Sequence, residues 1–422
     1  MRTTHALLVL AGLALPLGAG AQDPDLAALA KKAAVSGCDC ALPARVELRA
    51  AGPAGLAALM SLYEESGRPA AMHEAIDAVA RQRDAWASGL YWYTDLAEAE
   101  RAARATGRPI LSLRLLGNLD EELSCANSRF FRSVLYPNAE VARVLGSSYI
   151  LHWQSERPAP RITVDFGDGR RMESTITGNS IHYLLDAEGQ VVDALPGLEG
   201  PAAFLRWLAD AGPVARDAAN LSGAARAQLV SAYHRRKAQA LDAALARDMS
   251  AAGVVLTASP AGTAPAAPDA WIAAPIALSK AVAETPMLRA VKSGGAPRDD
   301  DAASWEAIAR LHASDAALDA ASRAFIKGKR RCTDAELART VAALETTLAE
   351  DGVRNEYLRH RRIHDWMAAG ATDLEVLNRR VYAEIFLTPR SDPWLGLLPG
   401  DDYRALDGDG VNAERQNLAQ KG

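Results

Sequence analysis

Apolar and polar residues alternate with different periods in different parts of the chain, and each period predicts a type of element. Over residues 22–87, apolar side chains such as Leu56, Leu59 and Tyr63 recur every three or four positions. This spacing is typical of helices that bury one face. The pattern therefore predicts a helical N-terminal segment over 22–87.

Residues 88–212 instead carry short apolar runs bounded by glycine, proline and acidic turn residues. Such runs are typical of strands, and a helical pattern over 201–211 closes the region. The predicted strands are 90–93, 110–116, 149–153, 161–166, 170–175, 182–185 and 190–195. Helical stretches separate the first strands and hairpin turns separate the later ones. We therefore predict an α/β sandwich, with helices flanking a mixed central sheet.

The helical period returns after residue 212 and predicts a larger all-α domain over 213–422. Candidate capping boxes mark two of its helix starts: Thr333 with Glu336, and Thr372 with Glu375. An alanine- and proline-rich stretch near 253–275 interrupts the pattern and predicts a loop.

The first 21 residues have the three parts of a secretory signal peptide. Arg2 is the positive start, residues 6–18 are apolar, and Ala19-Gly20-Ala21 is a small-residue cleavage site. The apolar run is shorter than the ~20 residues that span a bilayer. We predict that 1–21 is removed and that the product is periplasmic or secreted, with no membrane span after removal.

Composition excludes several classes of protein. The 422 residues are 49% hydrophobic and 23% charged, which excludes a collagen-like, coiled-coil or disordered chain. Lys and Arg number 47 against 52 Asp and Glu, whereas a nucleic-acid binder would show a basic excess. We therefore predict no nucleic-acid partner, and the length predicts two or three folding units.

The number and spacing of the cysteines limit the redox and metal chemistry that the chain can support. The four cysteines are Cys38, Cys40, Cys125 and Cys332. They are too few for a disulfide scaffold, and the sequence has no C-x-x-C pair, so the ligands of a c-type haem or a zinc ribbon are missing. No phosphate-binding or dinucleotide-binding motif occurs either. We predict no cofactor and no metal.

Three stretches within 88–212 carry recognisable motifs. They are a helix followed by Pro109-Ile110-Leu111, the tetrapeptide Cys125-Ala126-Asn127-Ser128, and the loop and strand of residues 178–189. Together they resemble a thioredoxin-like superfamily domain of the exported type. The resemblance covers under a third of the chain. It implies a thioredoxin fold for this segment and places the tetrapeptide at the family's redox C-x-x-C.

Two positions depart from the family pattern. Ser128 stands at the second redox cysteine, and Ser180 stands at the cis-proline. A hydroxyl cannot resolve a mixed disulfide, so Cys125 would act alone and its release would need another thiol. The resemblance also implies that Ser180 and His182, which share one strand face, lie near Cys125.

The position of Cys125 predicts a reactive thiol. It precedes an apolar-periodic helix, and the amino end of a helix stabilises an anion. We therefore expect a lowered pKa for the Cys125 thiol. We also expect Ser128 to donate a hydrogen bond to the thiolate and His182 to stabilise it.

The other three cysteines have two interpretations. In a redox relay, the Cys38 and Cys40 pair or Cys332 exchanges with Cys125. Alternatively, a structural disulfide joins the N-terminal segment to the domain, or the thiols are free and buried. These alternatives stay open at the level of the sequence.

The predicted function is thiol–disulfide exchange or isomerisation through Cys125, acting on the thiols and disulfides of exported proteins. The alternative is a non-catalytic thioredoxin-fold module of the cell envelope that binds or assembles an envelope protein partner. The serines at positions 128 and 180 favour this alternative. The sequence does not define the oligomeric state.

One further motif concerns metals. Glu356, His360 and His364 repeat every four residues, so they share one helix face and have the spacing of a chelating group. The same stretch contains four basic residues: Arg354, Arg359, Arg361 and Arg362. Because positive charge opposes cation binding, we predict a solvated basic face here.

Overall fold

The computed structural model describes residues 25–35, 37–175, 178–256, 302–392 and 395. The predicted signal peptide, 1–21, lies outside these residues, and so does most of the alanine- and proline-rich stretch at 253–275. Among the helices that are described, none is both long enough and apolar enough to cross a membrane.

The N-terminal segment folds into a group of helices with its own core. The helices are α1 (Leu26–Ala33), α2 (Ala41–Ala50), α3 (Pro53–Glu65) and α4 (His73–Ala80). Leu48, Leu59 and Ile76, from three of these helices, are fully buried in one cluster. A Cβ on Gly55 would lie 1.9 Å from the Leu48 carbonyl oxygen. The α2 and α3 helices therefore cross closely because residue 55 has no side chain.

A mixed sheet lies at the centre of the described chain. The strands are β1 (Trp92–Tyr93), β2 (Ile110–Leu116), β3 (Ile150–Arg157), β4 (Arg161–Asp165), β5 (Arg171–Thr175), β6 (Ser180–Leu185) and β7 (Val191–Pro196). Five of them form the central sheet, in the order β1-β3-β2-β6-β7. The first three in this order are parallel, and β6 and β7 add an antiparallel pair. Every residue of β2 is buried, as expected for a middle strand with both faces covered.

The two predicted hairpins have different positions. The β6–β7 hairpin joins the central sheet, whereas β4–β5 forms a separate two-stranded sheet. The residues of β4 and β5 are mostly exposed, and they include several charged side chains. This hairpin has no continuous apolar face to bury, so it lies outside the sandwich.

Helices cover the central sheet. They are α5 (Leu96–Thr106), α6 (Ala126–Phe130), α7 (Ala139–Ser148) and α8 (Pro201–Ala218). A π-helical turn, Phe131–Leu135, extends α6. The α8 helix includes Pro213 and runs past residue 212, so the predicted domain boundary falls inside a helix. The expected α/β arrangement, a mixed sheet flanked by helices, is confirmed.

The C-terminal region is helical, as predicted. Its helices are α9 (Gly223–Ala252), α10 (Ala302–Leu311), α11 (Ala320–Arg330), α12 (Asp334–Arg354), α13 (Arg361–Ala368) and α14 (Leu374–Glu384). A π-helical turn, Asn355–His360, joins α12 to α13. This turn places His360 and Glu356 on the side of the region that faces the sheet.

The two predicted capping boxes have different outcomes. Thr333 and Glu336 form the predicted box at the start of α12. At α14, the cap is Asp373, whose carboxylate accepts the Val376 backbone N–H at 2.8 Å. The prediction of Thr372 as the cap is wrong by one residue, because the Asp373 carboxylate satisfies a free N–H of the first turn.

The sheet and part of the C-terminal region share one hydrophobic core. Trp366 and Met367 of α13, and Val381 of α14, belong to the same buried cluster as the strands. A separate cluster around Trp305 and Ile308 lies among the C-terminal helices themselves. The predicted C-terminal domain is therefore joined to the sandwich by shared packing.

Candidate functional site

Cys125 lies at the amino end of α6, as the sequence predicts. Its backbone is extended, and its Sγ accepts a hydrogen bond from the Ser128 backbone N–H at 3.4 Å. The side chain is fully buried, in the core that the sheet shares with the C-terminal helices. The sulfur therefore has the predicted place on the helix but not the predicted access to solvent.

Burial changes the expected acidity of this thiol. It raises the pKa of Cys125 above the ordinary value, and the hydrogen bond from the Ser128 N–H opposes this rise only in part. The prediction of a lowered pKa is wrong, because the loss of water around the sulfur outweighs the effect of the helix end. The group is a neutral thiol at ordinary pH.

Ser128 contacts the sulfur through its backbone rather than through its hydroxyl. The hydroxyl oxygen is buried and has no hydrogen-bond partner among the described residues. The predicted hydrogen bond from this hydroxyl to a thiolate is therefore not formed.

Ser180 and the Cys125 loop lie together, as the resemblance implies. The Asn127 side-chain amide donates to the Ser180 hydroxyl at 2.7 Å. A Cβ on Gly178 would lie 2.6 Å from the Asn127 side-chain oxygen, so the two loops are in close contact. Asn127, which joins them, is not among the predicted site residues.

His182 lies in an aromatic pocket. Its Nε2 is hydrogen-bonded to the Tyr136 hydroxyl at 2.9 Å, and its ring makes edge contacts with Phe131 and Phe204. Burial lowers the pKa of His182 to about 3, so the ring is neutral. The predicted role of His182 in stabilising a thiolate is wrong, because a desolvated neutral ring supplies no positive charge.

The chain's own C-terminal part covers the loop opposite Cys125. The Tyr382 hydroxyl donates to the Asn179 carbonyl at 3.2 Å, and the Asn179 side-chain amide donates to the Thr388 hydroxyl at 2.8 Å. Tyr382 and Thr388 are both buried. This loop therefore contacts α14 and the residues after it.

The remaining cysteines form one disulfide and one free thiol. Cys38 and Cys40 form a disulfide with each other, between α1 and α2. The predicted cross-link from the N-terminal segment to the domain is therefore not formed by this pair. Cys332 is a free, partly exposed thiol just before α12.

A second group of side chains lies where β7, α9 and α13 meet. It contains Asp193 of β7, His234 of α9, His360 at the end of the π-helical turn, and His364 of α13. All four are at most 1% exposed. One ligand-type atom each from Asp193, His234 and His364 lies within 4.8 Å of the others.

Two of the three histidines in this group contact each other through the same type of ring atom. His234 Nδ1 and His364 Nδ1 are 2.7 Å apart. His234 Nε2 is 2.9 Å from the Val192 carbonyl oxygen, which only accepts, so Nε2 carries the proton. Burial lowers the pKa of His234, so this ring is neutral and its Nδ1 holds a lone pair. His364 therefore donates through its own Nδ1.

Asp193 is the charged centre of the group. One carboxylate oxygen accepts from the Trp207 indole N–H at 3.1 Å and from the Tyr233 hydroxyl at 2.7 Å. The other lies 3.5 Å from His360 Nε2 and 3.9 Å from His364 Nδ1. Burial alone would raise the pKa of the Asp193 carboxyl, but these imidazoles hold it well below its usual range.

His360 is held between two carboxylates. Its Nδ1 donates to Glu356 at 2.8 Å, and its Nε2 points toward Asp193. Burial would lower the pKa of His360, but Glu356 and Asp193 raise it to about 10.

The prediction of a solvated basic face at this stretch is wrong. His360 and His364 face the sheet, whereas Arg361 pairs with Asp242 and Arg362 pairs with Glu384 near the surface. The buried face of this stretch consists of residues that recur at helical spacing, some of them apolar. They are Val353, Tyr357, His360, His364 and Met367. That spacing could have identified the orientation, but nothing in the sequence pairs it with Asp193 or His234.

A cavity of about 230 Å³ lies beside this group. Glu199, Lys237, Glu356 and His360 are among its polar lining residues. The Asn355 side-chain amide donates to the Glu199 carboxyl. Burial and the nearby Glu356 charge raise the pKa of Glu199 well above its usual range, so this carboxyl is neutral. His360 therefore lies between a partly polar cavity and the buried carboxylate of Asp193.

Comparisons with protein-family models, with curated proteins and with solved structures find no match for this chain.

Proposed function

We propose that the protein is a non-catalytic binding or assembly module of the cell envelope, exported and built on a thioredoxin-like fold. The observation that carries this proposal is the environment of Cys125. Its sulfur is fully buried, and the opposite loop is covered by Tyr382 and Thr388. A thiol–disulfide enzyme needs its attacking sulfur ionised and within reach of a substrate disulfide.

The sheet supports the thioredoxin-like part of the proposal. Its order, three parallel strands followed by an antiparallel pair at one side, agrees with the fold that the resemblance of 88–212 implies. The loops of Cys125 and Ser180 also meet, as the corresponding loops of the family do. The proposal is that the protein keeps the thioredoxin-like fold but binds a partner instead of catalysing thiol–disulfide exchange.

Alkylation of the native protein tests this proposal. Cys332 is the matched control, because it is free and partly exposed. We expect iodoacetamide to label Cys332 in the C125A variant on the order of 100-fold faster than Cys125 in the C332A variant, since a buried thiol reacts only when the structure opens. Denaturant should bring the two rates together.

Two results would argue against the proposal. The first is native labelling of Cys125 at a rate similar to that of Cys332. The second is a mixed disulfide between this protein and exported proteins that disappears in the C125A variant. Either result would show that Cys125 is a reactive monothiol.

A further inference from the structure

The group at the junction of β7, α9 and α13 is unusual because it collects several potential metal ligands away from water. Burying a polar group is unfavourable unless it finds a partner. Here two imidazoles and a carboxylate direct ligand-type atoms toward one point, from three separate elements.

The outer contacts of these side chains resemble those of metal ligands. In metal sites, a histidine ligand donates its second ring N–H to a carbonyl or carboxylate, and ligating carboxylates are hydrogen-bonded in turn. His234 donates to the Val192 carbonyl, and Asp193 accepts from Tyr233 and Trp207. His234 Nδ1 and the second Asp193 oxygen face His364 Nδ1, and that oxygen also accepts the Ala194 backbone N–H at 2.8 Å.

We propose that Asp193, His234 and His364 form a binding site for a divalent transition metal ion of the zinc class. The donors are the two histidine Nδ1 atoms and the Asp193 oxygen that faces them. Imidazole and carboxylate donors without a thiolate suit Zn²⁺ and its neighbours in the first transition row, whereas Ca²⁺ and Mg²⁺ favour oxygen donors only.

The metal-free geometry shows what binding must change. The 2.7 Å between the two Nδ1 atoms is the length of a hydrogen bond. Two ligands of a tetrahedral zinc ion, each at 2.0–2.1 Å from it, lie about 3.3 Å apart. The rings must therefore separate slightly, and the His364 proton moves from Nδ1 to Nε2. That Nε2 has no hydrogen-bond partner within the described residues.

The proposed site has three protein donors, with a water molecule as the fourth ligand of the ion, and its role is structural. Its ligands are fully buried and come from the central sheet, from α9 and from α13. An ion there would link the C-terminal helices to the sheet and would raise the free energy of unfolding of the whole chain. The inference goes beyond the proposed function, because it uses no property of Cys125.

Metal binding can be measured on the full chain, purified without a polyhistidine tag and stripped with a chelator. We expect calorimetry to show one high-affinity Zn²⁺ equivalent per chain. We also expect Co²⁺ to give the visible absorption of a tetrahedral site, and Zn²⁺ to raise the melting temperature. The spectrum and stoichiometry test the unaltered protein, so they do not depend on a variant that folds.

Variants then locate the ion. H234A and H364A should each weaken Zn²⁺ binding by about 100-fold or more. Y233F, which only removes the hydrogen bond to Asp193, should weaken it by about 10–100-fold. H73A is the control, since His73 lies on α4 and bonds Tyr63, and it should bind Zn²⁺ normally.

The inference is overturned if the stripped protein binds no Zn²⁺ equivalent, or if folded H234A and H364A bind it as tightly as the unaltered chain. The first result would leave a hydrogen-bonded histidine pair at this position, and the second would place the ion elsewhere. Neither result bears on the labelling of Cys125, so failure of this inference is distinct from failure of the proposed function.

Discussion

Asp77, on α4, has a carboxyl group whose protonation is controlled by burial. Its side chain is 8% exposed, and one oxygen accepts the Ala85 backbone N–H at 2.9 Å. Burial raises the pKa of Asp77 from 3.8 to about 6, and the hydrogen bonds it receives limit the rise. The carboxyl therefore gains its charge within an accessible range of pH.

We expect Asp77 to make the folded protein less stable as pH rises from about 4 to about 7. In this range the folded state binds the proton more tightly than the unfolded state does, so the free energy of unfolding falls with pH, by about 3 kcal/mol at most. D77N keeps an oxygen acceptor for the Ala85 N–H and removes the titration. Urea unfolding at several pH values measures the effect.

The matched control is D217N, because Asp217 is exposed on α8. The free energy of unfolding of D217N should change with pH in the same way as that of the unaltered chain. A D77N protein with an unchanged slope of stability against pH would show that Asp77 does not titrate as described.

Residues whose surroundings are local could be predicted, and residues whose surroundings are distant could not. The place of Cys125 at a helix start depends on the next few residues, and it was predictable. The cover over the loop opposite it depends on contacts such as that between Asn179 and Thr388, which are 209 residues apart. His234 and His364 are 130 residues apart, so no spacing in the sequence reveals their contact.

Among the elements, α14 is important for the Cys125 site because it covers the loop opposite Cys125. Its amino end depends on one side chain, Asp373, which accepts the Val376 N–H. The carboxylate also lies at the positive end of the helix. The neighbouring Thr372 was the predicted cap, so the two residues can be compared directly.

We expect D373A to lower the free energy of unfolding by about 1 kcal/mol, the usual cost of losing an N-cap. T372A should change it by less than about 0.5 kcal/mol, as for a surface substitution. Denaturant titration of both variants measures the difference. Equal effects, or a larger loss in T372A, would contradict the assignment of the cap.

The elements also show the limit of pattern analysis. The capping box of α12 was predictable because Thr333 and Glu336 contact each other within one turn. The β4–β5 pair was predictable as a hairpin, but its separation from the central sheet was not. Sheet membership depends on which distant strands compete for the same edge, and alternation along one strand carries no information about that.

At the scale of the whole molecule, one buried ion pair connects the C-terminal region to the sheet. Arg226 of α9 donates to Asp186 at 2.8 Å, and the two side chains are 8% and 1% exposed. Arg226 also donates to the Val191 carbonyl at 3.1 Å. Asp186 in turn accepts backbone N–H groups of the β6–β7 turn.

We expect R226M to lower the free energy of unfolding by about 3–5 kcal/mol, because it leaves the Asp186 charge buried without its partner. The double variant R226M with D186N should recover much of this loss, since an asparagine oxygen still accepts the turn N–H groups. Chemical denaturation of the single and double variants tests this. A single variant that loses less than about 1 kcal/mol would show that the pair is not buried as described.

The residues that cover the loop opposite Cys125 come from late in the chain, and this has a consequence for biosynthesis. A ribosome releases the strands and the Cys125 loop well before it releases α14, because synthesis runs from the amino to the carboxyl end. In a nascent chain, the loop opposite Cys125 therefore lacks these contacts until the last helices dock. We expect the Cys125 thiol, which is buried in the mature fold, to be more open to mispairing while the polypeptide is still incomplete.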